Sequence, residues 1–176
     1  MLTTAAAFGG LAAAQPLQSI ALEQDFSNGP LQITPHALVA GCGEDKVPSG
    51  VVYATRNGQS VVVLRATIQN AVGEDIPFGS EDSTRVFKLA SMEPEAEYMG
   101  VFPEGIGDSI SDIAARMKMD AFVIWKVPTR MLDRATGITL VVYDLGKTQS
   151  VMLPTEDWMT TRRMTGGQLT VPLTRC

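Results

Sequence analysis

The sequence predicts an all-β fold, an antiparallel β-sandwich, and three observations lead there. Val, Ile and Thr together supply 41 of the 176 residues, a composition rich in strand formers. Gly and Pro supply another 26, which is ample turn chemistry for many short elements. Apolar and polar residues alternate in several segments separated by turn signals, the pattern of strands with one buried and one wet face. The length suits one domain with a proper core. The charge balance, 14 Lys and Arg against 19 Asp and Glu with no basic run, argues against nucleic-acid binding. One His and two Cys cannot furnish the four ligands of a His/Cys zinc site. No apolar stretch reaches the ~20 residues of a transmembrane helix.

The N-terminal run Met1–Ala14, MLTTAAAFGGLAAA, is short, apolar and small, and no charge occurs before Glu23. It reads as the apolar region and small-residue cleavage site of a secretory signal, although a basic start is missing. An Ala-rich arm that stays on the protein is the alternative. Leu38-Val39-Ala40-Gly41-Cys42 has the letters of a lipoprotein box. Pro35 and His36 interrupt the preceding stretch, so a strand ending in a turn is the better reading. Cys42 and Cys176 are expected to form one disulfide if the protein is exported.

Residues 1–30 read as signal or arm followed by a polar linker, and the sandwich is expected over 31–176. Leu31 and Ile33 alternate with Gln32 and Thr34, after which Pro35 makes this an edge or bulged strand. Val51–Thr55 forms a short strand before the Asn57-Gly58 turn. Ser60–Asn70 is the clearest strand, with Val62, Leu64, Ala66 and Ile68 on one face. Arg65, Thr67 and Gln69 fall on the other, with Val61 and Val63 beyond them. Short strands follow at Thr84–Ala90 and Tyr98–Phe102. Asp108–Met117 is read as the single helix, from Ile110, Ile113, Ala114 and Met117 at helical spacing and a Ser109/Asp112 capping pair. Asp120–Val127 and Ile138–Leu145 return to strand spacing around a polar loop, Thr129–Gly137. Val151–Leu153 could pair briefly, and Gln168–Arg175 closes the chain. Seven or eight short strands and one short helix predict an immunoglobulin-like antiparallel β-sandwich.

The segments VVVLRATIQN at 61–70, Asp75-Ile76-Pro77, Phe87-Lys88-Leu89, Pro103-Glu104-Gly105, Trp125-Lys126-Val127-Pro128 and ITLVVYDL at 138–145 follow one another in a suggestive order. In this layout the chain resembles secreted bacterial immunoglobulin-like domains of the mycobacterial immunoprotective extracellular antigen kind. The resemblance implies a binding or envelope role and carries over no catalytic residues.

The chemistry-bearing residues point the same way. Glu81-Asp82, Glu93/Glu95/Glu97 and Glu156-Asp157 lie in turn-like stretches, where solvated loop charge is the default reading and a carboxylate pair for hydrolysis the alternative. Nine methionines could gather for Cu(I), but nothing fixes their spacing, and core filling or partly exposed packing is the default reading. His36 could act as a pH switch or simply be exposed. No cofactor or metal is expected. Trp158, Arg162 and Arg163 are the candidates for partner contact. The expected function is an exported, non-enzymatic binding module, secreted or periplasmic, that contacts a protein or cell-envelope component. A structural subunit docking through residues 1–28 and a small hydrolase are the alternatives. The disulfide reading predicts a Cys42–Cys176 cross-link in non-reducing mass mapping; free thiols at both positions would sink it.

Overall fold

The computed structural model describes residues 17–40, 58–78, 86–143, 148–152, 158–162 and 166–172. Its elements in chain order are β1 (Gln18–Ile20), β2 (Phe26–Ser27), β3 (Leu31–Ala40), β4 (Gln59–Asn70), β5 (Ile76–Pro77), β6 (Phe87–Lys88), a 3-10 turn (Ala90–Met92) and β7 (Glu97–Pro103). There follow β8 (Asp112–Ile113), β9 (Lys118–Pro128), α1 (Thr129–Arg134), β10 (Gly137–Tyr143), β11 (Thr148–Met152), β12 (Trp158–Arg162) and β13 (Gly166–Pro172). The all-β sandwich with one short helix is therefore as expected. The strands outnumber the expected seven or eight, because β1, the two-residue β2, β5 and β8, and β12 escape detection by alternation. Cys42, Cys176, Met1–Ala14, Val51–Thr55, Glu81-Asp82, Glu156-Asp157 and Arg163 lie outside the described residues.

Two sheets face each other. One has the order β2-β3-β4-β9-β7 and is antiparallel throughout. The other has the order β1-β13-β10-β6 and is antiparallel except for β1, which runs parallel to β13. Taking β3, β4, β6, β7, β9, β10 and β13 as strands A to G gives A-B-E-D against G-F-C, the immunoglobulin-like arrangement. The core lies between the sheets. Val62, Leu64, Ala66 and Ile68 of β4 and Ala121, Val123, Trp125 and Val127 of β9 meet Phe87, Ile138, Leu140, Val142, Leu169 and Val171. Burying one such large apolar side chain is worth about 1.5–3 kcal/mol.

The outward face of the five-stranded sheet departs from the expected wet face. Its Arg65 end is polar, but Val61, Val63, Phe122 and Ile124 form a second buried cluster, with Val39, Met99 and Phe102 packed against it. Val61 and Val63 are thus the start of an apolar patch that β9 completes across the strand, as the pairs Val63↔Ile124 and Arg65↔Phe122 show.

Two other expectations fail for local reasons. Asp108–Met117 is not a helix: Ile110 N–H donates to Val101 O, Ile113 pairs with Ile76, and Arg116 has φ 61. The Asn70 amide takes the carbonyls of Ile113 and Ala114, which a helix would have used itself. A helix of under three turns gains too little from its own bonds to compete. The helix is instead Thr129–Arg134, expected as a loop. Pro128 ends β9 in an extended conformation (φ −60, ψ 129), Leu132 is buried, and Arg134 stands in the last turn, where a cation suits the helix dipole. With so few apolar residues it carried no periodic signal. The linker 15–30 is also partly structural. Ile20 and Phe26 enter the core, and β1 and β2 bind one to each sheet. Pro35 does mark a bulge, between Pro35 and Ala37.

A second bulge, between Tyr98 and Gly100 in β7, needs glycine. Gly100 has φ +130, and a Cβ there would meet Ser109 Cβ at 2.9 Å. Gly100→Ala is therefore expected to destabilise the protein by about 1–3 kcal/mol, read as a lower urea midpoint; an unchanged midpoint would contradict the tight approach.

Candidate functional site

The sheet topology gathers the B–C, D–E and F–G connections at one end of the sandwich. β4 and β7 are both antiparallel to β9, so Asn70 and Pro103 end where Lys118 begins. β9 finishes at the opposite end, α1 follows it, and β10 starts there at Gly137. β10 therefore ends at the first end, where Tyr143 pairs with Gly166 at the start of β13. β1 also starts there, Gln18 being opposite Gly167. In immunoglobulin variable domains the B–C and F–G loops at this end bind ligand, and loops on a rigid scaffold are the usual carriers of binding.

Polar staples hold these connections. Asn70, the last residue of the clearest strand, is fully buried. Its Nδ2 donates to Glu74 O at 2.7 Å and to the carbonyls of Ile113 and Ala114, both at 3.1 Å. Its Oδ1 accepts from Val72 N–H at 2.9 Å. One side chain thus ties the B–C connection to the D–E connection. Asp75 Oδ1 accepts from Ala115 N–H at 2.9 Å, and Arg116 Nη1 donates to Ala71 O at 2.6 Å. The small β5–β8 sheet joins the same two connections through Ile76↔Ile113 and Pro77↔Asp112. Asn28, also buried, accepts from Leu31 N–H at 3.1 Å through Oδ1 and shapes the turn into β3. The great majority of buried polar groups are bonded in this way. Around this scaffold Ile106 and Met117 are exposed, at 50% and 43%.

The F–G connection carries the hairpin β11–β12, with Met152 opposite Trp158 and Thr148 opposite Arg162. Trp158 and Arg162 thus stand at the two ends of β12, in an insertion between the last two sandwich strands. The sequence places Arg163 directly after them, outside the described residues.

The remaining candidates separate. Glu93 faces Lys88 at 3.8 Å, Glu95 pairs with Arg130, and Glu97 is register partner to Lys126. Glu93 and Glu95 thus each meet a different cation rather than each other. Met92 and Met119 are in the core cluster, while Met117 is exposed. Among the described residues no group of three or more His, Cys, Asp or Glu could hold a metal ion. No helix among them is long and apolar enough to cross a membrane.

Sequence reasoning missed a polar chain on the outward face of the five-stranded sheet. His36, at the β3 bulge, lies 2.8 Å from Glu23 Oε2 through Nδ1 and 2.8 Å from Thr67 Oγ1 through Nε2. Thr67 in turn donates to Asp120 at 2.5 Å, and Asp25 accepts from Thr34 and Gln32. The order carboxylate, imidazole, hydroxyl is that of a nucleophile triad. Here, however, the hydroxyl proton is given to a second carboxylate, which leaves nothing for the imidazole to abstract. The only sequence signal was a cross-strand one: Thr67 sits opposite Asp120 and Thr34 once the register is known.

The comparisons agree with this geometry at the level of fold. No family model and no curated protein matches the chain. An uncharacterized β-sandwich protein from Clostridium difficile 630 superimposes with a TM-score of 0.52 at 12% identity, covering 94% of this chain and 99% of that one. The fold is a β-sandwich. A candidate lipoprotein from Bacillus subtilis subsp. subtilis str. 168 is more distant, with a TM-score of 0.42 at 13% identity, covering 87% of this chain and 39% of that one.

The Asn70 staple gives a direct expectation. Asn70→Asp places a carboxylate, an acceptor only, against three carbonyls, and Asn70→Ala removes the amide that bonds them and Val72 N–H. Both are expected to cost about 1–3 kcal/mol or more, with Asp the worse. Amide exchange should accelerate first at residues 72–76 and 113–117; unchanged protection there would show that the end is held by other means.

Proposed function

We propose that this protein is an exported, non-enzymatic binding module that contacts a protein or cell-envelope partner through the loop end of its sandwich. The supporting observation is that the β11–β12 hairpin is inserted in the F–G connection, at the sandwich end where Asn70 pins the other two connections. A scaffold fixed by buried hydrogen bonds lowers the ordering cost of binding. The hairpin supplies Trp158 and Arg162, two residue types enriched among energetic anchors of interfaces. Export rests on the uncharged, small-residue run Met1–Ala14.

The alternative of a subunit that docks by residues 1–28 is narrowed. From Gln18 onward that segment packs into its own sandwich, with Ile20, Phe26 and Asn28 buried.

Affinity capture from the native envelope fraction tests the proposal, comparing wild type with a variant whose residues 147–163 are replaced by a two-residue Asn-Gly turn. The wild type is expected to retain partners that the shortened protein loses, with both proteins showing the same β-sheet circular dichroism. Equal retention by a folded, shortened protein would remove the hairpin from the binding site.

A further inference from the structure

His36 is the chain's only histidine, and the hydrogen bonds around it specify its protonation. Thr67 has one hydroxyl proton, and that proton goes to Asp120 Oδ1. Thr67 Oγ1 must then accept from His36, so Nε2 carries a proton. Nδ1 faces the Glu23 carboxylate, which ordinarily only accepts, so Nδ1 carries a proton as well. With Glu23 and Asp120 both ionised, the three contacts coexist only with the imidazolium.

We propose that this chain of bonds is a proton-dependent latch on residues 21–25, the turn by which the N-terminal segment crosses from the four-stranded sheet to the five-stranded one. When the imidazole becomes neutral, one ring nitrogen presents a lone pair and one carboxylate must let go. Backbone strain decides which. Glu23 has φ 60, the left-handed region, which is costly for a residue with a Cβ. Asp120 lies in β9, paired on both sides by β4 and β7, and its release would relieve no strain. The neutral ring therefore keeps its Nε2–H on Thr67 and frees Glu23, whose side chain is already 68% exposed and can turn into water.

The charged groups around His36 are Glu23 and Asp25 from the crossing turn and Asp120 from β9; Arg65 of β4, opposite Ala37, pairs with Glu104 at 3.7 Å, and β3 itself carries no other charge. Asp25 stays bound to Thr34 and Gln32, and Glu23 N–H reaches Pro35 O at 2.7 Å. Ile20 and Phe26 remain anchored in the core on either side. The turn consequently loosens without detaching. The imidazolium closes the latch and the neutral ring opens it, so the latch is closed at acid pH and opens as pH rises.

Hydrogen exchange of the full-length protein at pH 5.5 and 8.0, corrected for intrinsic rates, tests this. Wild-type amides in 21–27 are expected to lose protection about two- to fivefold at the higher pH, the range of one exposed ion pair. Amides in β4 and β9 should not change. His36→Gln and Glu23→Gln are each expected to flatten the pH dependence, and two variants on different elements guard against one failing to fold. A flat wild-type profile, or undiminished pH dependence in either folded variant, overturns the latch.

Discussion

Eleven register pairs between β4 and β9, from Gln59↔Pro128 to Gln69↔Lys118, form the spine on which the rest of the molecule depends. The pairing places an alternating apolar set from each strand on one face. Water can be excluded from that face only by a second sheet, and this requirement brings β6, β10 and β13 opposite. The same pairing aligns Val61, Val63, Phe122 and Ile124 on the other face. The sheet is therefore apolar on both sides at one end and polar on one side at the other. A slip of one residue would exchange the two sets, which is why the register is so strongly specified.

The spine also sets the position of everything with chemical interest. Asn70 is the residue at which β4 leaves the sheet, so its amide emerges among the B–C and D–E connections. In a strand a buried asparagine would be a cost. Here its donors and acceptor meet four backbone groups of the B–C and D–E connections. The outward polar chain has the same origin. His36, Thr67 and Asp120 come from three adjacent strands, and the β3 bulge turns His36 toward its neighbours.

Long strands were legible from the sequence because their signal is strictly local. Ser60–Asn70, Asp120–Val127 and Ile138–Leu145 reappear as β4, β9 and β10 with shifts of one or two residues. Asp108–Met117 was misread because apolar residues at helical spacing can also be met by an irregular segment whose backbone bonds go elsewhere. Ile110 and Ile113 turn toward Val101 and Ile76, partners that periodicity does not reveal. The candidate contact residues Trp158 and Arg162 were chosen by residue type alone. The structure adds that they share one strand of a hairpin inserted between F and G. Thr67, Asp120 and Glu23 gave no warning, since a bonded chain drawn from separate segments leaves no spacing in the sequence.

The sequence by itself determined the fold class, through a wealth of β-branched residues, alternation and turn chemistry, each a consequence of local geometry. It also determined the exclusions that rest on composition, such as a His/Cys zinc site. Only the tertiary structure decided that residues 17–30 belong to the sandwich, that one short helix follows Pro128, and that a single asparagine joins two connections. Those outcomes depend on pairing between residues far apart in the chain. Such pairing is settled by which buried faces and unpaired backbone groups can satisfy one another at the same time.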